Sequence, residues 1–422
     1  IMPLDLLITG GEVVSPAGIT RLDLGIAGGQ IVEVAPEIST STKERLDAAG
    51  KQLFPATIDS HVHFNDPGRA SWEGIATGSA ALAAGGGAMF FDMPLNSSPP
   101  TLDRASFELK LESAKANSVT DFALWGGLTP KNLDRLGELA ECGVIGFKAF
   151  MSNSGIDDFL ACDDQALLEG MAIAAKLNLP VAVHAESEAI TSALTARALT
   201  AGKTSPRDYL DSRPVIAELE AIQRVLLFAK MTGCRVHVVH ISTRHGIELL
   251  RQYAKEFEVD ATCETCPHYL LLNEDDVLSQ GAAAKCAPPL RSTHESADLL
   301  EALKEGLIDT VGSDHSPAPA DMKTSHNFFE VWGGISGVQV TLRSLLTLGV
   351  PAPRIASVLA ANVAARFRLP NKGQLAVGND ADIAIVDQGI MSPLLRDELL
   401  DRHKLSPYVG REFRGRIERT LL

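Results

Sequence analysis

Between residues 55 and 314, short apolar runs recur at intervals, each followed by a stretch with helical spacing. The runs are PATIDSHVHF (55–64), GAMFFDMP (87–94), VTDFALWG (119–126), GVIGFKAF (143–150), LPVAVHAE (179–186), CRVHVVHIS (234–242), VDATCET (259–265) and IDTVGSD (308–314). Near-continuous apolarity, rather than strict alternation, is what strands covered on both faces require. The stretches between them are amphipathic. In AELEAIQRVLLFAKM, Leu219, Ile222, Val225, Leu226 and Ala229 share one face, and Gly233 follows as a stop. ESADLLEALKEG ends in the same way at Gly306. Eight strand–helix units predict an α/β protein whose parallel sheet closes as a (β/α)8 barrel of the TIM type.

The chain ends follow another rhythm. Over residues 4–50, LDLLITG, EVV, LDLGIAG and QIVEVA alternate apolar and polar positions between Gly-rich turns. At 374–387, QLAVGNDADIAIVD reads as strand, turn, strand. The two ends are expected to pair into one small β unit, with two unrelated β appendages as the alternative. The expected division is 1–54 plus 370–422 for the β unit and 55–369 for the barrel.

Composition narrows the function classes. A chain of 422 residues with 45% hydrophobic and 22% charged residues is ordinary for a globular protein. A net charge of −15 argues against nucleic acid and against an anionic membrane surface, since both demand a basic face. No apolar run approaches the roughly 18 residues of a membrane span. The segment IMPLDLLITGGEVV lacks the basic start of a secretory signal. Six cysteines without regular spacing make no disulfide framework, so a reducing cytoplasm is the expected setting. Cys263 and Cys266, with His268 near, lack the second pair of a structural zinc site and read as strand packing. Gly85, Gly86 and Gly87 lack the Lys-Ser/Thr of a phosphate loop and read as a helix-to-strand turn.

The chemistry lies at the ends of the apolar runs, where barrels of this type place their active sites. The first run ends in His61-Val62-His63, whose alternation points both imidazoles to one face. The fourth ends near Lys148, the fifth near His184, the sixth near His240 and the eighth at Asp314. Any one of these histidines alone reads as a hydrogen-bonded core residue. Together, four imidazoles and a carboxylate at one barrel mouth suit Zn²⁺ or a similar divalent ion. A lysine on an apolar strand is rarely buried without a partner. Asp59 lies deeper on the same face, either behind a ligand histidine or as a core carboxylate. His315 points the other way and reads as support or packing. Trp332, Gly333 and Gly334 follow the eighth run and are placed at the pocket wall.

At this point the chain resembles a family. D-S-H-V-H-F, the lysine, two later histidines and S-D-H are similar to the cyclic amidohydrolases: dihydroorotases, dihydropyrimidinases or hydantoinases, and allantoinases. The likeness covers nearly the whole chain, through H-V-H-F-N-D-P-G-R, D-M-P-L-N-S-S-P-P-T, F-K-A-F-M-S-N-S-G, K-C-A-P-P-L-R and the C-terminal G-Q-L-A-V-G-N-D-A-D-I-A-I-V-D. The resemblance implies a composite β-sandwich from the two ends and a site for two divalent ions. Zinc is the first choice, with Co, Mn, Ni or Fe as alternatives. His61, His63 and Asp314 would hold one ion, His184 and His240 the other. Lys148, carboxylated by CO₂, would bridge them. A hydroxide between two such ions exists at neutral pH because the metals lower the pKa of water. Asp314 would take its proton and pass it to the leaving ring nitrogen. The family is often tetrameric, so a homo-oligomer acting on a small cyclic ureide is implied.

Three positions bear on which ring is opened. Dihydroorotases typically carry an arginine two residues after the second histidine, matching a substrate carboxylate; here Asn65 stands there. Hydantoinases place a tyrosine five residues after the lysine; here it is Asn153. They often carry a serine before the Pro-Pro pair, where dihydroorotases carry asparagine; here it is Ala287. All three departures favour the third branch, whose substrate is a hydantoin ring with a polar ureido tail. Asn65, Asn96 and Asn153 are the expected partners of that tail, with loop turn chemistry as the plain alternative. A broad hydantoinase and a non-enzymatic scaffold of the same fold are the rival readings.

Overall fold

The computed structural model describes residues 3–422. Its centre is a ring of parallel strands: Thr57–Val62, Gly87–Asp92, Asp121–Leu124 continuing at Gly126–Gly127, Phe147–Phe150, Val181–His184, Val236–Val238, Ala261–Thr265 and Thr310–Val311. Trp125 interrupts the third strand, so the ladder divides there into a three-stranded and a six-stranded part. The ring closes where Val62 bridges His315 and the His63 N–H donates to the His315 carbonyl at 2.8 Å. Eight strand positions match the eight apolar runs. The ordered parts are shorter than the runs, which lose residues at one or both ends.

The helix of the longest amphipathic pattern spans Val215–Thr232 and stops at a left-handed Gly233. Ala217, Ala221, Ile222, Val225, Leu226 and Ala229 face the barrel. Leu219 lies at the rim of that face, and Glu218 is buried in its stead. Thr293–Glu305 ends at a left-handed Gly306. Gly86 turns with φ 90° between the helix Ile75–Ala84 and the second barrel strand.

The chain ends meet in one seven-stranded sheet, in the order Glu412–Leu421, Ile383–Pro393, Gln52–Pro55, Leu4–Ser15, Gly18–Ala27, Gln30–Ala35, with Thr42–Asp47 also paired to Leu4–Ser15. Two local expectations change. LDLLITG and EVV are one strand, broken in register between Ile8 and Gly11. Residues 374–382 form turns and a single bridge from Asp380 to Gln30, so only the second strand of that segment forms. Lys372 explains the turn: it ion-pairs with Asp380 and Asp382 at 2.8 and 2.7 Å and so folds the segment back on itself.

Candidate metal centre

Four imidazoles line the mouth in a chain of ring contacts. His63 and His61 are 5.5 Å apart between centroids, His61 and His240 5.6 Å, and His240 and His184 4.6 Å. All four are buried. His61 Nε2 and His63 Nε2 each lie 3.1 Å from the same Oδ1 of Asp314. The backbones of His240 and Asp314 are left-handed, with φ 41° and 47°. Such conformations are costly away from glycine and cluster at functional sites. Here they turn the two side chains out of their strands.

Buried carboxylates set the tautomers. Glu264 Oε1 is 2.7 Å from His61 Nδ1, so that nitrogen carries the proton and Nε2 keeps its lone pair. His61 Nε2 is buried and has no hydrogen-bond partner among the described residues. Gly312 gives Glu264 its room, since a Cβ there would come within 2.8 Å of the Glu264 carboxylate. On the other side Glu186 Oε1 lies 2.7 Å from His184 Nε2, which leaves Nδ1 free. Glu186 also pairs with Arg213. Asn96 Nδ2 is 3.3 Å from His63 Nδ1. A ligating Nε2 would require that Nδ1 hold the proton, and the amide would then offer its oxygen.

The electrostatics fit a cation. Burial disfavours a charge on His61, yet Asp314 and Glu264 raise its pKa to about 9. Burial would also raise Asp314, but His61 and His63 hold it well below the usual carboxylate range. A divalent ion in place of that proton satisfies the same two carboxylates. Burial lowers His63 and His184, and lowers His240 strongly, so all three favour the neutral form a ligand needs. Lys148 is 1% exposed, forms no ion pair among the described residues, and has its ammonium 4.8 Å from the Phe150 ring centroid. Burial pushes it down to about 8, against the pull of Asp314 and Glu264.

The other sequence expectations divide. Asp59 makes no hydrogen bond to an imidazole nitrogen among the described residues. It accepts backbone N–H bonds from His61 and Ser313 at 3.1 Å each, so it ties the first strand to the eighth. His315 turns away to Glu73, 2.7 Å from Nε2. Asn65 is buried at φ 65°, its Oδ1 without a partner among the described residues. Asn153 is exposed, and its Oδ1 accepts the Gly155 N–H at 2.8 Å, closing a loop turn. Ala287 sits in a segment held at both sides, since Tyr209 and Tyr269 donate to the Cys286 and Pro288 carbonyls. Cys263 and Cys266 are buried in the barrel wall. Trp332 packs edge-on to Trp72, with ring centroids 4.8 Å apart.

Sequence reasoning missed Glu264, Glu186 and Arg213. Both glutamates had a signal: each is a charged residue inside an apolar run, Glu186 two positions after His184 and Glu264 in the seventh run. Their role depends on which ring they reach, and that only the closed barrel decides.

A closed barrel with a histidine–carboxylate cluster at its C-terminal mouth defines a metal-dependent hydrolase class. The pattern described as the amidohydrolase family matches residues 53–422, and the chain belongs to that family. Among curated relatives it is 54% identical to an allantoinase of Deinococcus radiodurans, covering all of this chain and 94% of that one. It is 52% identical to an allantoinase of Solibacter usitatus, over 99% of this chain and 92% of that one. Among solved structures it matches an L-hydantoinase (dihydropyrimidinase) of Arthrobacter aurescens with a TM-score of 0.95 and 34% identity, over 99% and 94% of the two chains. The chain is thus a cyclic amidohydrolase of the allantoinase type. No helix among the described residues is long and apolar enough to cross a membrane.

Proposed function

We propose that this protein hydrolyses the ring amide of allantoin to give allantoate, a step in purine and allantoin breakdown. The observation that carries the reading is full-length similarity to allantoinases at 54% identity, against 34% to the hydantoinase of the same fold. The mouth is consistent with it. Asn65, buried with an unpaired carbonyl oxygen, stands where a carboxylate-bearing ring would need a cation.

His61, His63 and Asp314 would hold one divalent ion and His184 and His240 a second, with Lys148 as N6-carboxylysine between them. Zinc suits this donor set, and Co, Mn, Ni or Fe are alternatives. When bound, the ions supply a water acidified towards neutral pH and a polarised ring carbonyl. Asp314 accepts the proton of that water and delivers it to the ring nitrogen as the C–N bond opens. Lys148, desolvated and unpaired, is suited to react with CO₂ as the neutral amine. Asn65 and Asn96 orient the ureido tail. A cytoplasmic homotetramer is the assembly proposed.

The test is kcat/KM for allantoin, hydantoin, dihydrouracil and dihydroorotate with one metal at one pH, alongside metal content. Allantoin is expected to lead and dihydroorotate to trail. A tenfold advantage for hydantoin or dihydrouracil overturns the reading in favour of a hydantoinase, the function that the fold similarity would then mark.

A further inference from the structure

One buried histidine at the mouth is used by nothing described so far. His268 opens the short helix Pro267–Leu271, directly after the seventh barrel strand. It is 1% exposed, and neither ring nitrogen has a hydrogen-bond partner among the described residues. A buried imidazole with both nitrogens unsatisfied is costly, and an interior rarely keeps one without use. It is also firmly placed. Its ring packs 4.3 Å from that of Tyr269, whose hydroxyl donates to the Pro288 carbonyl at 2.6 Å. A ring nitrogen of His268, Asp314 and Cys266 offer polar atoms within 4.8 Å of one another. The free edge of the ring therefore lies beside the carboxylate proposed as the proton acceptor.

We propose that His268 contacts the substrate: its neutral imidazole hydrogen-bonds the amide group of the cyclic ureide on the side where Asp314 works. The proposal rests on the cyclic-ureide reading. A cyclic ureide presents N–H donors and C=O acceptors around its ring, and a neutral imidazole offers one of each. No carboxylate among the described residues hydrogen-bonds either ring nitrogen of His268, so both remain open to a ligand. A third metal ion on Cys266, His268 and Asp314 is the competing use. The metal content of the variants distinguishes the two uses.

The experiment compares metal-loaded wild type with His268→Phe, His268→Gln and His268→Asn, using the best ureide of the substrate panel. Metal content and the binding constant of an unhydrolysed ureide analogue are measured alongside. His268→Phe is expected to keep the wild-type metal content, to lose about ten- to a hundredfold in kcat/KM, and to bind the analogue more weakly. His268→Gln, whose amide reaches nearly as far as the imidazole, is expected to recover about tenfold of that loss, and the shorter His268→Asn is not. If His268→Phe fails to fold, the Gln and Asn pair decides: equal kcat/KM in the two overturns the proposal. It also falls if His268→Phe keeps wild-type kcat/KM. An acid-limb shift in its pH profile with analogue binding unchanged overturns it too, since that shows an action through Asp314 alone. Slow turnover of allantoin by the wild type would reject the allantoin assignment and leave His268 to be tested on whichever ureide leads.

Discussion

The two ends of the histidine chain are backed by different charges. At the His61 end, Glu264 and Asp314 face imidazoles, and among the described residues no lysine or arginine pairs with either carboxylate. At the His184 end, Glu186 is already paired with Arg213, which stacks on Tyr209 and whose carbonyl accepts from Arg291 at 2.6 Å. The first end is met by an imidazole whose pKa the two carboxylates raise to about 9, the second by a guanidinium. The His61 end is therefore the more favourable of the two for a cation. Lys148 lies between, close enough for its charge to bear on all four histidines.

The largest effect expected from breaking this arrangement is at Asp314, the proposed proton acceptor. Asp314→Asn keeps an oxygen donor but loses the base, so kcat should fall by about 10²–10⁴ while metal content changes far less. Near wild-type kcat in the fully metallated variant would remove Asp314 from that role.

Next come the two backing carboxylates, which sharpen the comparison directly. Glu264→Gln should weaken the more tightly held ion by about 10–100-fold, read by titration with a competing chelator. Glu186→Gln should weaken the other ion and also leave Arg213 buried without its counter-charge, which typically costs about 3–5 kcal/mol. Denaturant unfolding of the metal-free proteins should therefore show the larger loss for Glu186→Gln. Equal losses would mean that the two ends are not electrostatically distinct. In the wild type, a chelator should strip one ion well before the other.

Lys148 provides the pH test. Its folded-state pKa of about 8 lies below the 10.5 of the unfolded chain. Between these values the unfolded state binds more protons, so stability from this group rises with pH and is fully penalised below about 8. In metal-free, CO₂-free protein, Lys148→Met should be the more stable at pH 7, by on the order of 3 kcal/mol. The advantage should shrink as pH rises towards 10.5. A gap that does not narrow would show that Lys148 is not held against its charge.

The smallest effect is expected at Asn153. Exposed and engaged in its own turn, it should tolerate alanine within about 0.5 kcal/mol of stability. Asn153→Ala should also keep kcat/KM within about threefold, whereas Asn65→Ala, which removes a buried amide whose Oδ1 has no partner among the described residues, should lose more. A large loss in Asn153→Ala would return that residue to the substrate pocket.

Much of this was legible in the chain. The eight apolar runs follow from burial on both faces, which leaves little room for polar residues except at the strand ends. His61, His63, Lys148, His184, His240 and Asp314 stand out for that reason. Alternation along a strand is a local rule, and the shared direction of His61 and His63 could be read from it. Pairing is not local. Asp59 shares the face of His61 by alternation, yet the carboxylate on the imidazole comes from Glu264, 203 residues away. Asn65, Asn96 and Asn153 look alike as loop asparagines, yet two are buried at φ near 70° and one closes an exposed turn. The pattern of apolar spacing determined the barrel and the residues at its mouth, because burial and periodicity act over a few neighbours. Tertiary structure alone decided which carboxylate fixes which imidazole, which charges remain unbalanced and that His268 is left without a partner, because contacts between strands far apart in sequence exist only once the ring has closed.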